Sequence, residues 1–265
     1  MGLLRPIAAA GAAAVLVAVR LAGATAAAEG GTPSITNTET VNAKLDASGK
    51  LDVARIYDQI AIEGSGTVSI SNPVSTTGLR NLDGFSGFTV NNGSIDETVN
   101  VNSSFRQRAV SDFTKQLPVG VKITYLLDGQ EISPSDLVGK SGRVEFKYRV
   151  ENLTGQSQDL TVKDGTGKDV TKPVTVYEPL AGSLDLTVPP GFVDVQPTGG
   201  GVAAGDGKGG TQMSFNLTLI PPLGEPVAEF GFTATVTNAV VPPATLTIVP
   251  VVVSSNPTMT GAADS

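Results

Sequence analysis

Bulky apolar residues alternate with polar ones along much of this chain, and a period of two predicts strands rather than helices. The clearest run puts Val144, Phe146, Tyr148 and Val150 on one face and Arg143, Glu145, Lys147, Arg149 and Glu151 on the other. The first set belongs in a core and the second in water. Val121, Ile123, Tyr125 and Leu127 alternate with Lys122, Thr124 and Leu126 until Asp128-Gly129, a pair suited to a tight reversal. The same period returns over residues 184–188, over 213–219, and at Phe230, Phe232, Ala234 and Val236. Runs of this length, punctuated by turn residues, predict an antiparallel sandwich.

The region before this block carries a weaker version of the pattern. Residues 41–45 and 51–57 bracket Asp46-Ala47-Ser48-Gly49-Lys50, which reads as a hairpin, and Val68, Ile70, Val99 and Val101 mark further short strands. A helix is expected over 107–117, where Val110, Phe113 and Leu117 share a face. It ends at Leu117-Pro118, because a residue before proline is biased away from the α region, and the domain boundary is placed there. A second short helical turn is expected at 135–138, opened by Pro134 and closed by Gly139. Residues 164–169 and 199–210 are loops by composition.

The predicted architecture is therefore all-β: a small β-rich domain with one short helix over 29–118, an Ig-like antiparallel β-sandwich over 119–256, and a mobile tail over 257–265. The expected core is Val121, Ile123, Tyr125, Val144, Phe146, Tyr148, Val150, Leu184, Leu186, Phe215, Leu217, Phe230 and Phe232.

Residues 1–28 read as a signal peptide. A positive start at Arg5 is followed by a small, apolar run to Val19, and Ala24-Thr25-Ala26-Ala27-Ala28 offers cleavage after Ala26 or Ala28. Arg20 cuts the apolar run short of the roughly 20 residues that a spanning helix needs. Pro242, Pro243 and Pro250 interrupt the next most apolar stretch. Loss of a leader carrying Arg5, Arg20 and no acid moves the formal net charge from -7 to -9. That balance argues against nucleic acid and against direct contact with an anionic membrane surface.

Composition then narrows the chemistry. The chain has no His, no Cys and no Trp, which removes the usual proton shuttle, thiolate, disulfide and sugar-stacking platform. Gly205-Asp206-Gly207-Lys208-Gly209-Gly210 matches the dinucleotide string, but a strand rather than a helix is expected after it. Asp159, Asp164 and Asp169 are candidate Ca²⁺ oxygens without EF-hand spacing, so a solvated acidic turn is the preferred reading. No Lys has a Ser three residues before it, and no carboxylate pair is marked out for glycoside hydrolysis. The Asn-X-Ser/Thr triplets at Asn92, Asn102, Asn152 and Asn216 read as solvated strand ends and turns. No catalytic, cofactor-binding or metal-binding residue is assigned.

The segment from Leu117 to Pro134, with Thr124-Tyr125, Leu127-Asp128-Gly129, Glu131-Ile132 and Pro134, followed by Leu137, Gly139-Lys140-Ser141-Gly142 and Val144, resembles a family signature. It is similar to a group of Gram-positive, actinobacterial-type cell-envelope proteins in which a "TYxLDGxEIxPxxLxGKSGxV" segment opens an Ig-like domain after a signal peptide. The resemblance implies an exported, non-enzymatic protein that acts as a binding or spacer module, with a cell-wall or envelope protein as partner and no cofactor. Longer members continue into a coiled coil and a membrane anchor, so an accessory ectodomain of a membrane complex is a second expectation. A His-independent hydrolase on envelope polysaccharide or peptide is a third.

Overall fold

The computed structural model describes residues 13–19 and 33–251. In chain order its elements are β1 (Ala13–Val19), β2 (Ser34–Leu45), β3 (Leu51–Pro73), β4 (Arg80–Asn81), β5 (Val90–Asn91), β6 (Ser94–Asp112), β7 (Val119–Leu127), β8 (Gln130–Ile132), α1 (Pro134–Leu137), β9 (Gly142–Asn152), β10 (Gln156–Lys163), β11 (Asp169–Val176), β12 (Leu180–Val188), β13 (Phe192–Thr198), β14 (Val202–Gly205), β15 (Thr211–Leu219), β16 (Val227–Val236) and β17 (Ala244–Pro250). The fold is an all-β sandwich. A ten-stranded sheet runs β14-β15-β12-β17-β1-β2-β3-β6-β4, with β5 also on β6, and a five-stranded sheet runs β13-β16-β9-β7-β8. Strands β10 and β11 form a separate ribbon with no buried residue.

The alternation read from the sequence explains the main core. On β9 the buried set is Val144, Phe146, Tyr148, Val150 and Asn152, and the charged row between them faces outward. Phe146 stacks on Phe232 of β16 with ring centroids 4.6 Å apart, and Tyr125 of β7 meets Phe146 edge-on at 5.0 Å. Phe215 of β15 stacks on Phe230 of β16 at 5.0 Å, so the aromatic cluster joins the two sheets. Each such side chain, fully buried, contributes about 1.5–3 kcal/mol. Of the thirteen expected core residues, eleven are buried, and Val121 and Ile123 pack half-buried at the edge of the cluster.

Chemistry at the turns also follows from sequence. Asp128 and Gly129 both take positive φ (49° and 82°), the requirement of a type I′ hairpin between β7 and β8. Asp46, Asp164 and Asp206 each turn a side-chain oxygen back onto the amide two residues ahead, at 2.8, 2.9 and 2.7 Å, closing three further hairpins. Ser133 caps α1 by accepting from the Asp136 amide at 3.1 Å.

Three expectations are corrected. Residues 107–112 are strand, not helix, because the face that matters is Phe105, Gln107, Ala109 and Ser111 at period two, while Val110, in register with Arg80 of β4, is buried on the opposite face. The second expected helical turn, at 135–138, is present as α1. The 199–210 loop contains β14, paired with β15. Finally, Leu117-Pro118 is where the chain crosses to the opposite sheet rather than a gap between cores: Val41, Ala43, Leu45 and Ala54 from before it join the same cluster as Phe146 and Phe215. Tail residues 257–265 and most of the leader lie outside the described residues.

Strand β6 pairs with β3 along its whole length, from Arg55–Asp112 to Pro73–Ser94. Yet Asn72 donates to Asp58 on the same strand, 14 residues away, a distance that straight strand would stretch to about 46 Å. The ribbon therefore doubles back on itself. The corner is Gly64 and Gly66 at φ 120° and 142°, opposite Ser103 at φ 113°. Folding brings Ile60 and Ile62 against Val68, Ile70, Val99 and Val101, which form a second core of buried aliphatic residues with Phe105 packed half-buried against it.

Candidate functional site

The inner face of β2 and β3 passes in order from the main core to a polar belt to the second core. On β3 the sequence Ala54, Ile56, Asp58, Ile60, Ile62 shows it directly, and on β2 Leu45, Ala43 and Val41 give way to Glu39 and Asn37. At the belt a cleft of about 500 Å³ opens between the two cores. Its floor includes Glu39, Asp58 and Ser111, Ile56 and Phe113 form an apolar wall, and the 73–76 segment at the end of the folded ribbon makes a rim.

Glu39 and Asp58 are direct cross-strand partners, so their side chains emerge on the same face of the sheet. Asp58 is only 7% exposed, yet of its two oxygens only Oδ2 has a protein donor, the amide of Asn72. Oδ1 has none. Asn72 in turn accepts from Asn37 Nδ2 at 3.2 Å, and Gln107 Nε2 donates to Glu97 Oε2 at 2.6 Å across the folded ribbon. Burial pushes the Asp58 carboxyl above its ordinary range, against a smaller opposing effect of the Asn72 hydrogen bond. Burial, then the neighbouring Asp58 charge, raises Glu39 as well, and the Lys115 ammonium at the cleft pulls it partly back. The pair therefore holds protons more tightly than free carboxylates do, and a hydrogen-bond donor or cation placed between them would restore their charge.

The residues weighed from sequence do not converge. Asp164 spends Oδ1 on Thr166 and Lys168 within its own turn, Asp169 pairs with Lys163 at 2.9 Å, and Asp159 sits in register with Pro173. Among the described residues no group of three or more acids is arranged to hold a metal ion. The 205–210 glycine string is the β14–β15 hairpin, with Asp206 Oδ1 accepting from the amides of Lys208 and Gly210. In the 117–144 segment, Asp128 Oδ1 accepts from the Arg143 amide at 2.9 Å, the Gly139 amide donates to Ala239 O, and the Ala239 amide donates to Lys140 O. These positions build a hairpin, a capped turn and a strand entry. The outward row on β9 forms ion pairs, chiefly Arg149 with Glu229 at 2.7 Å.

The cleft acids went unassigned in the sequence, although a signal was present. Asp58 occupies an inward position between Ile56 and Ile60, where alternation calls for an apolar residue. Among the described residues no helix is long and apolar enough to cross a membrane. No protein-family model matches the chain. A search of curated proteins likewise returned no significant match.

Proposed function

We propose that this chain is an exported, non-enzymatic binding module of the cell envelope, and that it binds through the cleft between its two cores. The leader-like start at residues 1–28 and the resemblance of the 117–144 segment support the location. The observation that carries the binding reading is Asp58 Oδ1, a buried acceptor without a protein donor on the floor of the cleft. A buried acceptor of this kind favours a ligand that brings the missing donor. With Glu39 beside it, the best match is an ammonium group on a short apolar body that lies along Ile56 and Phe113. Wall peptides with a free side-chain amine belong to that class.

The test is a calorimetric titration of the full chain with 1,5-diaminopentane and with a soluble wall digest before and after acetylation of its amines. Binding is expected for the diamine and the unmodified digest, and loss of it in Asp58→Asn without any drop in the melting midpoint. Equal binding after acetylation would overturn the reading.

The facing acids with raised pKa also favour a second reading, a hydrolase on envelope polysaccharide or peptide. It requires release of reducing ends or soluble peptide from wall fragments, abolished by Glu39→Gln. The depth of Asp58 weighs against it, because a general acid or base must reach the bond it serves.

A further inference from the structure

Strand β1 holds a position in the fold that a discarded leader would leave empty. Its backbone pairs antiparallel with β2 from Ala13–Leu45 to Val19–Glu39 and parallel with β17 from Ala14–Thr245 to Val17–Ile248. Among the described residues it is the one strand that links the β14-β15-β12-β17 half of the large sheet to the β2-β3-β6-β4 half. The residues flanking it belong to the main core: Val41, Ala43 and Leu45 on β2, and Ala244, Leu246 and Ile248 on β17 are all buried. Without a strand between them, two rows of backbone donors and acceptors lose their partners beside an apolar interior.

Both walls of this gap are fastened elsewhere. The turn after β2 is tied to the opposite sheet, where the Ile123 amide donates to Ser48 O at 3.0 Å and the Tyr125 hydroxyl donates to Ala47 O. Strand β17 is paired to β12 from Leu180–Pro250 to Leu186–Ala244, and the Val251 amide donates to Pro179 O at 2.8 Å. Direct pairing of β2 with β17 would have to move one wall by a strand spacing of about 4.8 Å and tear these bonds. A vacated gap is better filled than closed.

We propose that the gap between β2 and β17 is a strand-acceptor groove, which takes from a partner protein an extended, uncharged run of about seven small aliphatic residues aligned antiparallel to β2. Ala13–Val19, with the sequence AAVLVAV, is the occupant in the full chain and defines the chemistry. The apolar core rows of β2 and β17 on either side call for aliphatic rather than charged residues in the occupant, and proline is excluded because both edges of the strand are paired. The seated strand in the full chain stands on the pairing alone, and the exchange for a partner's strand rests on the reading that the leader is removed on export.

The test starts with the full chain, which has no native cysteine. Leu16 lies in register with Asn42, so Leu16→Cys with Asn42→Cys should cross-link under mild oxidation, whereas Leu16→Cys with Thr67→Cys, on the distal part of β3, should not. Leu16→Pro unseats the strand by removing a ladder donor. It should lower the melting midpoint, and a synthetic peptide of residues 11–21 should bind that variant one to one and restore the midpoint. The same peptide carrying proline at the Leu16 position should do neither. Absence of the specific cross-link overturns the groove whether or not the proline variant folds. A cross-link with no peptide capture by a folded Leu16→Pro chain overturns an exchangeable strand. Capture in vitro, with a leader that stays attached in cells, overturns the partner and the export reading together while the seated strand stands.

Discussion

The described residues form two apolar cores of different construction, and the difference explains where the polar site lies. The main core draws Phe146, Phe215, Phe232, Met213 and Leu219 from strands of two opposed sheets, so its contacts join residues far apart in sequence. The second core consists of Ile60, Ile62, Val68, Ile70, Val99 and Val101 from just two strands that fold back at a glycine corner. The large one is locked by interdigitated rings from both layers. The small one is a hairpin closed on itself, with short aliphatic side chains and little to hold it but its own ladder. Between them neither core supplies enough apolar surface to seal the sheet, and that is where Asp58, Glu39 and Asn72 are accommodated.

The largest separation between the two should come from deleting a side chain in each. Phe146→Ala removes a fully buried ring that contacts Tyr125, Phe192 and Phe232 and should cost about 3–5 kcal/mol. The loss should appear as a single drop in the thermal midpoint, and an unchanged midpoint would refute the two-sheet packing. Ile62→Ala in the small core should cost less, about 2–3 kcal/mol, because a folded ribbon can relax toward the void more easily than opposed sheets can. Its signature is local. Amide hydrogen exchange should accelerate over 66–73 and 94–101 while β9 and β16 stay protected, and equal acceleration in β9 would mean that the two cores unfold as one unit.

Legibility in the sequence divides along the same line. In the main core, strands on β9, β15 and β16 have one face in water, so alternation is clean and the buried set can be read off. In the ribbon, Val110 and Ala109 are buried on opposite faces of one strand, and two buried faces mimic helical spacing. The doubling back at Gly64 has no local signature beyond the glycines themselves, since Gly-Ser-Gly reads equally as a turn between two short strands. The cleft followed from that fold. Asp58 and Asn72 meet only once the ribbon closes, and Glu39 becomes a site residue only when β2 is known to pair with β3 in that register. The shared core was hidden for a similar reason: nothing local in residues 41–45 shows that the opposing layer comes from strands within residues 119–236.

The smallest effect is the one that probes the belt between the cores, and its sign distinguishes it from ordinary acid denaturation. Asp58 and Glu39 have folded-state pKa values raised above their ordinary 3.8 and 4.5, so folding penalises their charged forms. Below the ordinary values both are protonated in either state and the penalty vanishes, whereas above the raised values it is present in full. The stability they withhold is therefore recovered as pH falls from the raised values toward 3.8–4.5. Asp46, Asp83, Asp164 and Asp206, with values lowered by hydrogen bonds, act in the opposite direction and lose their contribution as pH falls below 3.8. The melting midpoint should thus rise slightly on mild acidification before it collapses. Asp58→Asn should raise the midpoint at neutral pH, flatten the acid-side rise and leave the collapse in place, because an amide can keep a hydrogen bond with Asn72 without carrying the buried charge. A rise that survives in Asp58→Asn combined with Glu39→Gln would locate the effect outside the belt and remove the argument that the cleft acids are under strain from burial.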